Sequence, residues 1–350
     1  MAVKSLISSW ICGLRFPLHR WRPRAVILLY HRIVDLPADP QLLSVKPNNF
    51  RKHLEHLRRE YQVISLADIG SRLRAGSSLG RAVVLTFDDG YIDNLHNAKP
   101  LLAEYAVPAT IFVSTGHMEF GREFLWDELE QILLLPGCLP RILSLQVGGQ
   151  RYNWDLEGAA GYNEVEYRRC QSWNVLEPNC PTKRHELYRI LCGILRPIAS
   201  KERDRILSEL AAWAGIQVVT RSEYRPLCPS EVVELADGDL IDIGAHTVWH
   251  PVLATLPLDA QRTEILYSQQ KLEELLGDAV ASFSYPFGRP DDYTEETIDL
   301  VREAGFEFAC TTSPRSVRWN SNIYQLPRFV VRDWDQREFA QRLQVFFDVL

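Results

Sequence analysis

Short apolar runs rich in β-branched residues return along this chain at regular intervals, and segments of helical periodicity lie between them. The runs fall at 25–30, 61–66, 82–87, 109–113, 240–245, 281–285, 306–311 and 323–331. Continuous apolar runs are the mark of strands buried on both faces, which occur in parallel sheets covered by helices. The intervening segments 48–60, 67–73, 94–105, 259–276 and 294–304 have the length and spacing of crossover helices, and a last one at 336–349 puts Phe339, Leu343 and Phe346 on one face. Gly277 and Gly305 stand where C-caps belong. Eight such strands are the number that closes a (β/α) barrel. The predicted fold is therefore α/β, a deformed (β/α) barrel of seven or eight strands.

One stretch breaks the rhythm, from about 116 to 238, after the strand ending near Val113. It holds a predicted hairpin, 142–147 turning at Gly148-Gly149 into 150–154, then polar sequence and helices near 185–195 and 201–213. It reads as a large insertion on one face of a barrel spanning 25–350, since loops after barrel strands carry specificity.

Composition narrows the function classes. With 46% hydrophobic and 24% charged residues among 350, the chain has the balance of a globular protein and is too apolar for disorder. Thirty-nine basic residues against 45 acidic ones give a net charge of −6, and no basic stripe runs through the body of the chain, which excludes nucleic acid as a partner. The seven cysteines are scattered without a C-x-x-C pair and read as free, mostly buried thiols of a reducing compartment, so a cytoplasmic location is expected, with secretion left open. No apolar run reaches the ~20 residues of a membrane span. Residues 1–24 mix Leu6, Ile7, Trp10, Ile11, Leu14 and Phe16 with Lys4, Arg15, Arg20, Arg22 and Arg24. That segment reads either as an amphipathic surface helix touching anionic lipid or as a frayed terminus capping the fold. Oligomeric state is not legible.

Two clusters carry chemistry. Thr86-Phe87-Asp88-Asp89-Gly90 ends the third run, and two adjacent carboxylates both ionise cheaply only beside a cation. His246-Thr247-Val248-Trp249-His250 follows the fifth run, and histidines at i and i+4 project from one face of a helical turn, which Pro251 limits to a single turn. Both clusters sit at the C-terminal ends of strands, where barrel sites are built. Two imidazoles and one carboxylate are the protein ligands of a catalytic zinc site.

These two clusters resemble the first two signature motifs of the polysaccharide deacetylase family, the NodB-homology or carbohydrate esterase 4 fold. The resemblance runs over roughly 25–335 outside the insertion. It implies hydrolysis of an N-acetyl group on a sugar, with Asp89, His246 and His250 holding one divalent ion, zinc first and cobalt, nickel or manganese as alternatives, and Asp88 as general base. Phe283-Ser284-Tyr285-Pro286-Phe287-Gly288 is similar to the family's groove-wall segment, which implies an oxyanion contact from a backbone N–H by Tyr285. The family's Arg-Pro-Pro form of that segment is absent, so Arg328, in Leu326-Pro327-Arg328, is the candidate for orienting the catalytic aspartate. The family's usual acid, a histidine near the C-terminus, is missing, because the last histidine is His250. Leu29-Tyr30-His31 resembles the exopolysaccharide-deacetylase branch, whose permuted order puts that histidine on the first strand, and His31 becomes the expected general acid. A closed barrel makes the permutation harmless, since first and last strands are neighbours.

Trp126, at the start of the insertion, is a candidate to line a sugar groove, with core packing as its alternative role; His117 shares that reading. Trp249 is expected to anchor its turn in the core. The expected partner is an N-acetylated glycan, as polymer, oligosaccharide or lipid-linked form. A hydrolase of a small non-sugar amide and a non-catalytic envelope-assembly partner are the rival readings.

Overall fold

The computed structural model describes residues 24–349. The segment expected to form an amphipathic or frayed N-terminus therefore lies, except for Arg24, outside the described residues. The apolar runs form strands β1 (Val26–Tyr30), β2 (Gln62–Val63), β3 (Ala82–Phe87), β4 (Ala109–Val113), β5 (Ile241–Ala245), β6 (Ser282–Ser284), β7 (Phe308–Cys310) and β8 (Phe329–Val330). They make one all-parallel sheet in the order β7-β6-β5-β4-β3-β1-β8, with β2 alongside β3. The sheet curls until its edges meet: Leu326, just before β8, bridges Cys310 of β7, while Phe329 pairs with Leu28 of β1. One chain segment thus joins both edges, which closes the deformed (β/α) barrel. No described helix is long and apolar enough to cross a membrane.

The strand period of two sorts side chains into two layers. Val26, Leu28, Val83, Leu85, Ile111 and Val113 face outward into one cluster with the helices. Ile27, Val84, Phe112, Phe308, Cys310 and Leu326 form a second cluster inside the barrel. Gly244 lets β5 approach that interior, because a Cβ there would stand 2.4 Å from the Phe112 ring and 2.6 Å from Ser282 Oγ. The same inward period reaches His31, Asp88 and His246 just past β1, β3 and β5, Ser284 at the end of β6 and Arg328 just before β8. The site is the polar top layer of the barrel stack.

The insertion has its own core. Its cluster runs from Leu125 to Ala214 and includes Leu129, Leu143, Leu187, Leu191, Ile206 and Leu210. The hairpin Ile142–Val147 and Gln150–Asp155 and the helices Lys183–Leu195 and Ser200–Ala214 form where the sequence places them. Helix Leu125–Leu133, apolar on one face, and helix Glu164–Cys170, in the polar stretch after the hairpin, add to them. Met118, Leu227, Val232 and Leu235 pack with the barrel, so the independently packed part is narrower than 116–238. The thiols Cys138, Cys170, Cys180, Cys192, Cys228 and Cys310 are free, but only Cys170 and Cys310 are buried.

Candidate metal centre and active site

At the top of β3 the inward register Ala82, Val84, Thr86 ends on Asp88, and the chain then turns through Asp89 and Gly90, both at φ 77°. Asp88 is buried and held by a bidentate Arg328 pair, Nη1 to Oδ1 and Nη2 to Oδ2, each 2.7 Å. Arg328, fully buried, also donates Nε to the Thr311 carbonyl at 2.9 Å, Nη1 to Thr86 Oγ1 at 3.2 Å and Nη2 to Ser284 Oγ at 2.8 Å. The Ser284 hydroxyl in turn donates to Asp88 Oδ2 at 3.2 Å. Burial pushes the Asp88 carboxyl up, but the Arg328 guanidinium and His246 outweigh it and hold the group below the ordinary aspartate range. Arg328 is thus no surface residue, and it fixes both the charge and the direction of Asp88.

Asp89 turns the other way. Its Oδ1 lies 3.6 Å from His246 Nε2 and 3.4 Å from His250 Nε2, and all three side chains are buried. His246 Nδ1 sits 2.7 Å from the Ser284 carbonyl, which can only accept, so Nδ1 carries the proton and Nε2 presents its lone pair to Asp89. Asp89 Oδ2 is buried with no hydrogen-bond partner. Acceptors facing acceptors at these separations fit a cation: ligands ~2.1 Å from a tetrahedral zinc stand roughly 3.4 Å apart. Asp89, His246 and His250 are the three residues whose donor atoms lie within 4.8 Å of one another, the one such group found among the described residues. Burial lowers the His246 pKa, yet the two aspartates raise it above its ordinary value. At His250 burial and the neighbouring His246 drive it well below.

The two histidines do not share a helical turn. Thr247 and His250 adopt left-handed backbone, φ 62° and 51°, and Thr247 Oγ1 accepts the His250 N–H at 3.1 Å. The i, i+4 spacing reads as helix, but the rings converge through a tight loop, with centroids 4.8 Å apart. Trp249 between them is half-buried; its ring would clash with any Cβ on Gly116 and its carbonyl accepts from Arg203.

Tyr285 itself has no free donor. Its N–H donates to the Cys310 carbonyl at 3.1 Å, as the parallel ladder requires, and its hydroxyl donates to the Tyr324 carbonyl at 3.0 Å. Both of its donors are engaged within the protein. His31 follows β1 on the inward register; Asn94 Nδ2 holds its carbonyl at 2.8 Å, and its buried Nδ1 has no partner. Burial lowers its pKa, partly offset by Asp89 and Asp88.

The insertion supplies a wall. The half-buried Trp126 ring meets His250 edge-on at 5.5 Å, stacks on Phe124 at 5.1 Å, and donates Nε1–H to Tyr91 Oη at 2.8 Å. Phe287, absent from the sequence-predicted set, lies 4.6 Å from His250. His117 is buried against Phe124, its Nδ1 2.9 Å from the Arg122 carbonyl, so it is not part of an open groove. Ser284 was also unforeseen; nothing marks a serine as the residue that both braces an aspartate and fixes a histidine tautomer.

Residues 75–134 and 205–309 match the polysaccharide deacetylase family profile. The chain carries a polysaccharide deacetylase domain. Over 86 residues, 24% of the chain, it is 37% identical to the poly-beta-1,6-N-acetyl-D-glucosamine N-deacetylase of Escherichia coli K12, a stretch that spans 13% of that protein's length. Among solved structures it is similar to the Streptococcus pyogenes deacetylase PplD, with TM-score 0.58 and 18% identity over 92% of this chain and 99% of that one. IcaB from Ammonifex degensii superimposes with TM-score 0.54 and 17% identity, covering 93% of this chain and 97% of that one. At these identities the structural likeness establishes the barrel fold.

Proposed function

We propose that this deacetylase domain is a metal-dependent N-deacetylase acting on an N-acetylated amino-sugar glycan. The observation that carries the reading is the pairing of two adjacent carboxylates in opposite states: Asp88 locked to Arg328, and Asp89 facing two imidazoles without a cation of its own. Asp89, His246 and His250 would hold one divalent ion, zinc first. When bound, such an ion supplies a Lewis acid for an acetyl carbonyl and favours deprotonation of water near neutral pH.

The chain's own groups supply the rest. Asp88, ionised and aimed by Arg328, takes a proton at Oδ from the attacking water. Arg328 is a positioning residue: its two Nη groups leave the carboxylate one orientation. His31, with an unpartnered Nδ1 at the mouth of the barrel, donates the proton that lets the amine leave. Trp126 and Phe287 offer apolar ring surface to the sugar beside His250. The E. coli relative, whose name gives its substrate as an N-acetylglucosamine polymer, supports a polymeric or oligomeric glycan.

The test is acetate release from N-acetylated oligosaccharides by protein stripped of metal and reloaded, read beside metal content. Stoichiometry of one ion per chain is expected, lost in the His246→Ala/His250→Ala double variant. Asp88→Asn should keep the metal and lose turnover, while Asp89→Asn should lower metal affinity too. Full metal occupancy in the double histidine variant, or equal metal loss in both aspartate variants, would refute the assignment.

A further inference from the structure

A groove of about 380 Å³ opens between the loop after β6 and the segment 311–327. It lies against the site. Thr311, Ser313 and Pro327 line it, and the Thr311 and Ser313 carbonyls accept Arg328 Nε and the Arg328 N–H at 2.9 and 3.1 Å. The residues that brace the arginine on Asp88 are therefore also a wall of the groove. Tyr293, stacked on Tyr285 at 4.3 Å, lines it too.

Its charge is one-sided. Arg315 and Arg318 are the only charged residues lining it. In a chain with 45 acidic against 39 basic residues, a groove with two arginines and no carboxylate is a local inversion of sign. Elsewhere exposed arginines are commonly neutralised: Arg51 by Glu104, Arg141 by Asp155, Arg262 by Glu303 and Arg342 by Glu338. Neither the Arg315 nor the Arg318 guanidinium has a hydrogen-bond or ion-pair partner among the described residues. The volume is within the ~300–1,000 Å³ of small-ligand clefts. Planar guanidinium groups suit carboxylate and phosphate oxygens because they can donate two parallel hydrogen bonds.

We infer that this groove is a subsite for an anionic group, a carboxylate or a phosphate, carried by the glycan whose N-acetylated sugar lies at the metal centre. The inference rests on the proposed deacetylase reading for the orientation of the glycan, and on the groove alone for the anion. Two sources present that chemistry: a uronate alternating with the amino sugar, and the diphosphate of a lipid-linked sugar.

The test is direct binding to the full chain by calorimetry, which does not depend on turnover. Three probes are compared: a neutral N-acetylglucosamine oligomer, an oligosaccharide alternating N-acetylglucosamine with glucuronate, and N-acetylglucosamine carrying a diphosphate. One acidic probe should bind about tenfold or more tighter than the neutral one, with the advantage shrinking as salt rises. Which of the two does so identifies the source. Arg315→Gln/Arg318→Gln should abolish the advantage and leave binding of the neutral oligomer unchanged. Equal binding of all three probes, or an advantage that survives in the double variant, would overturn the subsite. Failure of acetate release with an arginine-dependent advantage intact would instead overturn the deacetylase reading and leave the anion site standing.

Discussion

An arginine shut away from solvent in the barrel and one in the insertion are used differently. Arg328 in the barrel is 0% exposed and Arg184 in the insertion 1% exposed. Arg184 donates Nε to the Ala159 carbonyl, Nη1 to those of Leu133 and Leu135, and Nη2 to those of Gly137 and Ala160. All five acceptors are backbone carbonyls, two of them at the end of helix Leu125–Leu133, where carbonyls lack helical partners. Burial accordingly lowers the Arg184 pKa, whereas at Arg328 the same burial is outweighed by Asp88 and the pKa rises. One arginine ties chain segments together; the other keeps a carboxylate charged and aimed. A buried arginine points to a reacting site only when its partner is a side chain that can itself do chemistry.

The strongest way to break that contrast is Arg328→Met. Removing one partner of a buried ion pair strands the other charge, so a stability loss of about 3–5 kcal/mol is expected in chemical denaturation. Turnover should fall ~10²-fold or more with it, because Asp88 loses both its charge partner and its orientation. The double variant Asp88→Leu/Arg328→Met should recover most of the stability and none of the activity. If Arg328→Met alone keeps near-normal turnover, the pair is structural, like Arg184.

Arg184→Met is the matching change in the insertion. Carbonyls left unsatisfied in a buried place cost about 1–3 kcal/mol, so unfolding should come earlier and hydrogen exchange should quicken around 133–160. Acetate release per folded molecule should stay within about twofold of the original. A loss of turnover comparable to that of Arg328→Met would mean that the insertion's packing, and not only its Trp126 wall, shapes the site.

How much of this was legible in the residues differs between the two regions. The barrel strands are legible because both their faces are buried, and the apolar runs at 82–87 and 109–113 coincide with β3 and β4. Asp88, Asp89, His246 and His250 are legible because their spacing repeats a family pattern, and the structure brings all four together. Their local geometry is not, since i, i+4 spacing assumes a helix and Thr247 and His250 instead take left-handed backbone. The engagement of Tyr285's own donors is not legible either, because a motif names a residue without saying which of its donors the sheet already uses. Arg184 leaves no trace at all: carbonyl acceptors belong to every residue type, so no pattern announces a clamp made of them.

Acid should separate His185 from Asp88 as well. Burial lowers the His185 pKa to about 4, with Arg184 adding to the effect, while Asp88 is held below the ordinary aspartate range. Both are depressed in the folded state, so each contributes stability at higher pH that is lost as pH falls. For His185 the contribution is complete above the unfolded value near ~6.5 and drains away toward pH 4. For Asp88 it begins to drain only below the unfolded value near ~3.9. Exchange protection in the insertion should therefore begin to weaken once pH falls below about 6.5, by up to about 1.4 kcal/mol per pH unit. His185→Asn should flatten that slope between pH 6.5 and 4 relative to the original protein. An unchanged slope would remove the histidine from the account.

The finest distinction lies in one hydroxyl of the barrel network, which has no counterpart around Arg184. Ser284 Oγ accepts from Arg328 Nη2 at 2.8 Å and donates to Asp88 Oδ2 at 3.2 Å, while the same residue's carbonyl takes the His246 Nδ1–H. Ser284→Ala removes the first two contacts and leaves the third, because a backbone carbonyl survives the substitution. The bidentate Arg328–Asp88 contacts also remain, so the cost should be that of ordinary hydrogen bonds, about 1 kcal/mol in stability. Turnover should drop by about five- to tenfold, with metal content unchanged because the His246 tautomer is still fixed. Ser284→Thr, which restores the hydroxyl, should recover part of that loss. A Ser284→Ala variant that sheds its metal would show that the hydroxyl acts through His246 and not through the Arg328–Asp88 pair.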